Sequence, residues 1–481
     1  MLSIALVLCV QADAARVDWS QFRGPDGHAV AVDGAKYPAS LELPRDLRWR
    51  TALPAGHASV VVHGDRLFVT GVAERNLETL CVERADGTVL WRRAVAAEAL
   101  EQHHRVNSAA SSTPVTDGET VVAYFGSFGL VAYDFEGVER WRRPLPVPDN
   151  TFGSASSPVI ADGRLLFVHD ANAGSFLEAL DPATGEVLWR REREGFRSGW
   201  STPVVRRHAE GIDVLVYGVG SLTAYNLADG AERWSVPGLT DEPIVMPAVS
   251  DELVWLTSYN MKTNTEVIGL PAWETIVGEL DRDGSGTLDA GEAEANASVL
   301  SRYDADGEGD HPLRIFFRWL DEDRDGELDG EEWTKLEDWV DGFAHVNGVL
   351  AVRPGGDDAP AEVVWQYPRG VPECPSPLLV DGLLLLVKNG GLVTCLDATS
   401  GELRYQERLE ARGPFYASPV AADGKVYVVS ARGDLSILRA GADWEPLARV
   451  ELGERVMATP ALQDGVLYVR TESSLLALGR R

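Results

Sequence analysis

The chain has 481 residues, 45% of them apolar, and its charged side chains give a formal net charge of −30 at pH 7. The apolar content, with 47 Gly and 26 Pro, indicates a folded, turn-rich protein and excludes a disordered one. The negative charge argues against nucleic acid as a partner, because phosphate binding needs clustered Lys and Arg. Cations or basic partners suit this composition better.

The first fifteen residues are typical of an export signal. Residues 2–10 form an apolar run, and Ala12, Ala14 and Ala15 supply the small side chains of a cleavage site. The usual positively charged opening is missing, which a start codon assigned too late or a buried first strand would explain. We expect residues 1–15 to be a signal peptide and the protein to be extracytoplasmic, either periplasmic or secreted. No other apolar run approaches the roughly 20 residues of a transmembrane helix, so no transmembrane segment is predicted.

Three cysteines follow the leader: Cys81, Cys374 and Cys395. They are odd in number and lack the spacing of a metal site. Cys374 and Cys395 could pair if neighbouring strands bring them together, but ordinary buried thiols are the favoured interpretation. The hydrophobic core must therefore carry the stability of the fold.

A repeated pattern organises the chain: a Ser/Thr-Pro opening, an Asp-Gly turn and a closing Gly-x-x-x-Trp. The opening prolines are Pro114, Pro158, Pro203, Pro247, Pro377, Pro419 and Pro460. Their spacing is 41 to 45 residues except for one gap of 130 residues. One repeat therefore contains an insertion of about 86 residues.

Each repeat predicts four short strands. In the third repeat, Ser156–Ile160 is the first strand, a turn at Asp162-Gly163 leads to the second, and Leu177–Asp181 is the third. Short strands rich in Val, Leu and aromatic residues, separated by Asp-Gly and Thr-Gly, are typical of hairpins. Four-stranded repeats of about 40 to 45 residues predict the blades of a β-propeller.

A large aromatic residue closes most repeats, and we expect each ring to pack against the next blade. These residues are Trp91, Trp141, Trp189, Trp234, Trp365 and Tyr405. The eighth repeat, from Val456, lacks such a strand, whereas Asp46–Arg50 is such a strand without a repeat before it. The two pieces can complete one blade, which would close the ring without a free sheet edge. The predicted fold is therefore all-β, an eight-bladed β-propeller of residues 16–269 and 344–481.

The insertion, residues 270–343, contains two twelve-residue stretches with oxygen donors at the positions that a calcium loop requires. Amphipathic segments precede them at 271–280 and 312–320, and others follow from Glu292 and Glu331. The ligand positions are Asp281, Asp283, Ser285, Thr287, Asp289 and Glu292, then Asp321, Asp323, Asp325, Glu327, Asp329 and Glu332. Gly286 and Gly326 stand where the loop turns with positive φ. A solvated acidic surface explains the charge but not this spacing.

The segment 270–343 thus resembles a pair of EF-hands, a small all-α unit inserted in the fifth blade, and the resemblance implies two calcium ions. Leu288 and Leu328, at position 8 of the loops, are expected to pair the loops over a small shared core. A third acidic stretch, Asp304–Asp310, opens like such a loop but has Ile315 where the closing carboxylate belongs, so we interpret it as a linker.

The repeats resemble a known family. Ala179–Trp189, which reads Ala-Leu-Asp-Pro-Ala-Thr-Gly-Glu-Val-Leu-Trp, is similar to the pyrroloquinoline-quinone (PQQ)-type repeat. That repeat occurs in quinoprotein dehydrogenases and in the non-enzymatic propeller lipoprotein of the outer-membrane assembly machinery, and the resemblance covers about 400 residues. Trp19–Gly27, and residues 104–108 with 124–130, look like exported PQQ-like propellers of planctomycete-type bacteria.

The resemblance leaves enzyme and scaffold as alternatives, since propellers serve as both. Quinoprotein alcohol dehydrogenases have a vicinal cysteine pair against the quinone, and no Cys-Cys occurs in this sequence. Their catalytic Asp and their calcium ligands have no recognisable counterpart. We therefore expect an exported, calcium-binding scaffold without catalytic residues that offers a propeller face to an unidentified protein or small ligand. A PQQ-dependent oxidoreductase is the alternative.

The segments before the first strands should converge on one face of the propeller and form a polar, aromatic funnel. Its residues would be His57, His103, His104, Arg105, Asn107, Phe152, Arg197, Trp200, Glu373, Arg412 and Tyr416. Ordinary loop residues remain the simpler interpretation, because no catalytic triad or metal spacing is recognisable among them. His103 and His104 are adjacent and cannot both point the same way on a strand.

Overall fold

A computed structural model describes residues 18–259, 267–268, 271–293, 298–302, 311–341, 347–356, 359–411 and 413–480. The proposed leader, the acidic stretch 304–310, Arg412 and the predicted insertion boundaries near 270 and 343 lie outside these residues. No helix in the described segments is long and apolar enough to cross a membrane.

Eight four-stranded antiparallel sheets form the molecule and are numbered here as blades 1 to 8. The first strands of neighbouring blades contact each other in blades 1 to 3, in blades 5 to 8 and between blades 8 and 1, so they line a common axis. In blades 1 to 4 the strands are Val61–His63, Arg66–Ala73, Asn76–Glu83 and Val89–Ala96; Val115–Thr116, Val121–Phe125, Gly129–Tyr133 and Glu139–Pro144; Val159–Ala161, Arg164–His169, Phe176–Leu180 and Val187–Glu192; Val204–His208, Gly211–Gly218, Ser221–Asn226 and Glu232–Pro237.

Blades 5 to 8 continue the ring in chain order, with one extra strand, Val30–Ala31, parallel to the first strand of blade 7. Their strands are Ala248–Val249, Val254–Ser258, Gly348–Arg353 and Glu362–Tyr367; Leu378–Val380, Leu383–Lys388, Leu392–Asp397 and Leu403–Arg408; Val420–Ala422, Lys425–Val429, Asp434–Arg439 and Pro446–Glu451; Ala461–Gln463, Val466–Arg470, Ser474–Leu478 and Leu47–Ala52. Short 3-10 turns occupy Pro25–Gly27 and Asn389–Gly391.

The two ends of the chain close the ring, as predicted. Leu47–Ala52 pairs antiparallel with Ser474–Leu478 and supplies the outer strand of blade 8. The eight-bladed architecture is therefore confirmed. The first strand of blade 3 begins at Val159, later than the predicted Ser156, because the Ser157 amide donates to Thr202 Oγ1 of the next blade rather than to a strand neighbour.

The closing aromatic residues join neighbouring blades, which confirms their structural role. Trp91, Trp141, Trp189 and Trp365 each donate the indole N–H to a carbonyl oxygen of the next blade, over 2.8 to 3.2 Å. Each ring also covers a glycine of that turn, and a Cβ on Gly137 would lie 2.7 Å from the Trp91 ring. Trp234 is 4% exposed between blades 4 and 5. Tyr405 packs edge-on against Trp444 of blade 7, with ring centroids 5.5 Å apart.

The insertion leaves blade 5 between its second and third strands, which still pair directly with each other. Its helices are α1 (Trp273–Leu280), α2 (Ala290–Ala293), α3 (Leu313–Leu320) and α4 (Gly330–Asp341). The predicted helix at 312–320 thus begins one residue later. The inserted segment also contains a three-stranded sheet that the sequence did not predict, formed by Val267–Ile268, Ser298–Arg302 and His311–Pro312.

The three described cysteines are free, so Cys374 and Cys395 do not form a disulfide. Cys81 and Cys395 are buried among core side chains, and burial raises the pKa of the Cys81 thiol to about 12 and that of Cys395 to about 11. These thiols therefore remain protonated at neutral pH and behave as small apolar side chains.

Replacing a docking tryptophan tests how much the contacts between blades stabilise the ring. Trp91→Ala should lower the free energy of unfolding by about 3 to 5 kcal/mol, because it opens a cavity between blades 1 and 2. Trp91→Phe keeps an aromatic ring over Gly137 and should cost only about 1 to 2 kcal/mol. Urea unfolding of the three proteins measures both values. Equal losses for the two variants would contradict the docking role.

Candidate functional site

A ring of hydroxyl groups surrounds the axis where the first strands begin, and it explains the Ser/Thr-Pro openings. Backbone N–H groups of one blade donate to the hydroxyl of the next blade around this ring. Six such bonds of 2.9 to 3.0 Å are formed by Ser59 to Thr113, Thr113 to Ser157, Ser157 to Thr202, Met246 to Ser376, Ser376 to Ser418, and Ser418 to Thr459. Blade 5 has Met246 at this position.

A cavity of about 590 Å³ opens on the axis above this ring, and we call it the axial cup. Eight of the eleven predicted funnel residues line it: His57, His104, Arg105, Asn107, Phe152, Trp200, Glu373 and Tyr416. His103 and Arg197 do not line it, and Arg412 lies outside the described residues. The sequence did not single out Glu242, Cys374 and Asn389, which also line the cup. The volume lies within the range of small-molecule pockets.

Aromatic rings form one wall of the cup. The centroids of Phe152 and Trp200 lie 5.1 Å apart, and His104 meets Phe152 edge-on at 5.6 Å. The Trp200 indole N–H donates to Asn150 Oδ1 at 3.0 Å and to the Gly153 carbonyl at 2.9 Å, which fixes the orientation of the ring. This wall offers flat apolar faces beside the polar hydroxyl ring.

His57 is the titratable group of the cup most affected by its surroundings. Burial, and then the positive charges of Arg470 and Arg455, lower the pKa of this imidazole to about 4. His57 is therefore neutral at neutral pH. It can donate or accept one hydrogen bond there, but it carries no charge that would attract an anion.

The segment 18–31 closes the axis from the opposite end, and we call it the plug. Its backbone accepts hydrogen bonds from the first strands of three blades: Trp19 from Val62, Ser20 from Thr116 and Ala29 from Ala421. These three bonds are 2.8 to 3.0 Å long. The plug thus joins first strands that are far apart in sequence.

The plug also contacts the other five blades, either through its own side chains or through side chains of those blades. The contacts are Gln21 with Ile160, Asp26 with Arg207, Gly27 with Met246, Arg23 with the Pro377 carbonyl, and Trp19 with Gln463. The plug therefore touches all eight blades, and its Phe22 forms part of the floor of the cup.

Trp19–Gly27 stood out in the sequence only as a mark of resemblance, and its role as the plug was not predicted. The signal in the sequence that could have revealed the plug was the spacing of its glycines. Gly24 has φ of +71°, and a Cβ there would lie 2.6 Å from the Trp19 ring, so this turn requires glycine. Because the plug closes one end of the axis, the axial cup is blind: it opens to solvent at the other end only.

The two acidic loops predicted in the insertion each lie between two helices. In the first loop, one carboxylate oxygen from each of Asp281, Asp283 and Glu292 lies within 4.8 Å of the others. The Gly286 amide donates to Asp281 at 2.9 Å, and this bond is the main reason that the pKa of Asp281 is lowered. Ser285, Thr287 and Asp289 lie in the same turn, where the Ser285 hydroxyl donates to the Thr287 carbonyl at 3.3 Å.

In the second loop the convergent carboxylates are Asp321, Asp323 and Asp325. Asp329 accepts the Glu332 amide at 2.9 Å. Glu332, expected at the closing position, is not in the convergent group and accepts the Glu322 amide at 2.8 Å. Gly326 has φ of +89° and Gly286 has φ of +83°, so both loops turn where glycine was expected.

The loops pair with each other as predicted. Leu288 lies opposite Leu328 in a short antiparallel ladder, and neither side chain is exposed. The Thr287 hydroxyl of the first loop donates to Glu327 of the second at 2.6 Å. Apolar side chains of all four helices, with Trp333 1% exposed, complete a separate small core beneath the two loops.

The family model for the outer membrane protein assembly factor BamB matches residues 26–176, 173–272 and 357–480, which is most of the chain. The chain belongs to this family. In this BamB-family protein the match leaves out residues 1–25, which include the first part of the plug, and residues 273–356, which include most of the insertion and the third strand of blade 5. No curated protein matches the chain significantly.

Solved structures support the same fold. BamB from Moraxella catarrhalis is 12% identical, with a TM-score of 0.50 over 90% of this chain and 98% of that one. The quinohemoprotein alcohol dehydrogenase from Comamonas testosteroni is 12% identical, with a TM-score of 0.58 over 98% and 82%. A europium-containing methanol dehydrogenase is 9% identical, with a TM-score of 0.57 over 97% and 98%. At these identities the likeness shows the fold alone.

His57 should make the protein less stable in mild acid. Its pKa is about 4 in the folded protein and about 6.5 when unfolded, so the unfolded chain binds the extra proton between these values. Stability from this group is complete above pH 6.5 and falls as the pH drops towards 4. Because the ring is half-buried, we expect wild type to lose about 1 kcal/mol more than His57→Phe between about pH 7 and about pH 5.

Urea unfolding at the two pH values measures this difference. His57→Gln, which removes the titration without adding an aromatic ring, should behave like His57→Phe. If both variants lose as much stability as wild type, His57 is not the buried neutral group described above.

Proposed function

We propose that this BamB-family protein is an exported, calcium-binding β-propeller scaffold that binds a partner at the axial cup and performs no catalysis. The observation that carries the calcium assignment is the convergence of three carboxylates in each of two paired loops. Hard divalent cations such as Ca²⁺ prefer such oxygen ligands. The proposed ligands are those predicted from the two twelve-residue loops, one ion in each.

Two local features of the loops support a bound calcium ion. Asp321 Oδ1 is buried and has no hydrogen-bond partner among the described residues, so it is a free acceptor at the first ligand position. In each loop the glycine at position 6 takes positive φ, as the EF-hand turn requires. A bound cation would satisfy the free oxygen and reduce the repulsion among the carboxylates.

We assign the calcium a structural role. The two loops share one small core, so an ion in either loop stabilises the ladder between Leu288 and Leu328. Extracellular calcium modules bind at about 10⁻⁴ to 10⁻³ M, and tighter sites remain occupied outside the cell. The insertion thus acts as a calcium-stabilised unit carried by blade 5.

The scaffold role rests on the rigid ring and its blind cup. Eight blades held by tryptophans, hydroxyls and the plug present one concave, partly aromatic face. We propose an extracytoplasmic location from the leader-like residues 1–15 and from the description of the matching family, which names an outer-membrane assembly factor. The partner is a protein or a small ligand that enters the open end of the cup.

A PQQ-dependent oxidoreductase remains the second candidate, because solved dehydrogenases share the fold and the cup is large enough for a small ligand. The residues do not fit a quinone held beside a metal ion. Both groups of three or more convergent metal ligands within the described residues lie in the insertion, not in the cup. Of the three cysteines after the leader, only Cys374 lines the cup, so no vicinal pair is available there.

The calcium assignment predicts two equivalents of calcium by calorimetry on the chelator-stripped protein. Glu292→Gln and Glu332→Gln should each weaken one site by at least about tenfold, because each removes a charge and the closing bidentate ligand. Glu331→Gln is the matched control, since it removes an exposed carboxylate next to Glu332 that is not a proposed ligand.

A stripped protein that takes up no calcium would overturn the assignment, as would a control variant as weak as Glu332→Gln. The same calcium-loaded sample separates the two candidate functions. Reduction of an artificial electron acceptor by the PQQ-supplemented protein would favour the oxidoreductase, whereas no reduction would favour the scaffold.

A further inference from the structure

A second cleft lies beside the axial cup, between blades 7 and 8, and we call it the arginine cleft. Its volume is about 620 Å³, and three of its lining residues are Arg105, Arg432 and Arg455. It shares Arg105, Val106 and Tyr416 with the cup, so the two cavities lie side by side. A ligand could therefore occupy both spaces at once.

The guanidinium groups of these three arginines have no hydrogen-bond or ion-pair partner among the residues that the structure describes. Acidic groups near them are already engaged. Glu454 accepts from the Thr471 and Ser473 hydroxyls and lies 3.5 Å from Arg50. Asp434, next to Arg432 along the rim, is paired with Arg449. The cleft thus holds three guanidinium groups without acidic partners in the described chain.

Such a cluster is unusual in this molecule. The chain carries a net charge of −30, and many of its arginines form close ion pairs, as Arg143 and Arg193 do with Glu178 and Asp170. Arg105 and Arg432 are exposed and Arg455 is half-buried, so water solvates them in the free protein, and an anion that reaches all three gains their combined attraction. A guanidinium group presents a planar fork of donors that matches a carboxylate or a phosphate.

The axial cup offers aromatic and polar groups that can contact the uncharged part of such a ligand. Tyr416 lies between the two cavities, and Arg455 and Arg105 both lie close enough to oppose the burial that raises its pKa. Beyond it are the Phe152 and Trp200 rings and the hydroxyl groups of Thr113 and Ser157. A ligand with a charged end and a flat or hydroxylated body would find a counterpart for each part.

We propose that the arginine cleft binds a small organic anion with several carboxylate or phosphate groups, whose body extends past Tyr416 into the axial cup. Arg105, Arg432 and Arg455 pair with the charged groups. This inference rests on the proposed binding role of the cup and names its ligand class. The strongly negative remainder of the protein repels every anion, so only a ligand that reaches all three arginines offsets that repulsion.

Calorimetry on the calcium-loaded full chain tests the inference with three probes. Benzene-1,3,5-tricarboxylate presents carboxylates, fructose 1,6-bisphosphate presents phosphates, and benzene-1,3,5-trimethanol is the neutral match of the first. We expect saturable binding of at least one anion and none of the triol. The affinity should fall between about 0.05 M and about 0.5 M NaCl, because salt screens the paired charges. The anion that binds identifies the preferred group.

Arg105→Gln, Arg432→Gln and Arg455→Gln should each weaken the anion at least about tenfold, since each removes a charge-assisted hydrogen bond. Arg353→Gln is the control, because it removes an exposed arginine of blade 5 that does not line either cavity. Circular dichroism and the calcium titration of all variants should match wild type.

The inference fails if neither anion binds, if the triol binds as well as the tricarboxylate, or if the three cleft variants bind like the control. These outcomes are distinct from failure of the calcium assignment. Binding of two calcium equivalents without anion binding would contradict only the anion site in the arginine cleft. Anion binding without calcium binding would contradict only the calcium sites in the loops.

Discussion

Closure of the ring is the constraint on which the rest of this structure depends. An open stack of blades would expose the edge of its last sheet, and such an edge pairs readily with other chains. The strand Leu47–Ala52 removes that edge by completing the blade of Ser474–Leu478. Only residues 32–46 separate this strand from the plug. The same N-terminal region therefore supplies both the outer strand that closes the ring and the segment that fills its axis.

The axial cup is a consequence of this closure. The plug occupies one end of the axis, and the hydroxyl ring narrows it above, so a blind cavity remains with a polar floor and one aromatic wall. The hydroxyl oxygens that accept backbone N–H groups between blades keep their own protons free to donate. Residues such as Thr113 and Ser157 thus hold the blades together and also line the cup.

Features with a local pattern were predictable from the sequence. The spacing of the prolines predicted eight blades, the unmatched strand at Asp46–Arg50 predicted ring closure, and the glycine and leucine positions predicted the paired loops. Each of these depends on residues close in sequence or on a repeat. The first strand of blade 3 was placed too early, because a bond from Ser157 to another blade decides where pairing begins.

Features that arise from long-range assembly were not predictable. The plug has no repeat, and its partners, such as Gln463 and Pro377, are hundreds of residues away. The arginine cleft combines Arg105 with Arg432 and Arg455, which the closed ring brings to one rim. Arg105 was chosen for the funnel by its position before a first strand. Arg455 has the same kind of position before the first strand of blade 8 and was overlooked, whereas Arg432 lies between the second and third strands of blade 7 and had no such signal.

Hydrogen–deuterium exchange with and without calcium tests the central claim most directly, namely that a calcium-stabilised unit is carried by an independently closed propeller. Amides of residues 271–293 and 311–341 should gain protection when calcium is added, while those of the eight blades and the plug should not change. Unchanged exchange in the insertion, or protection spread through the blades, would contradict this account.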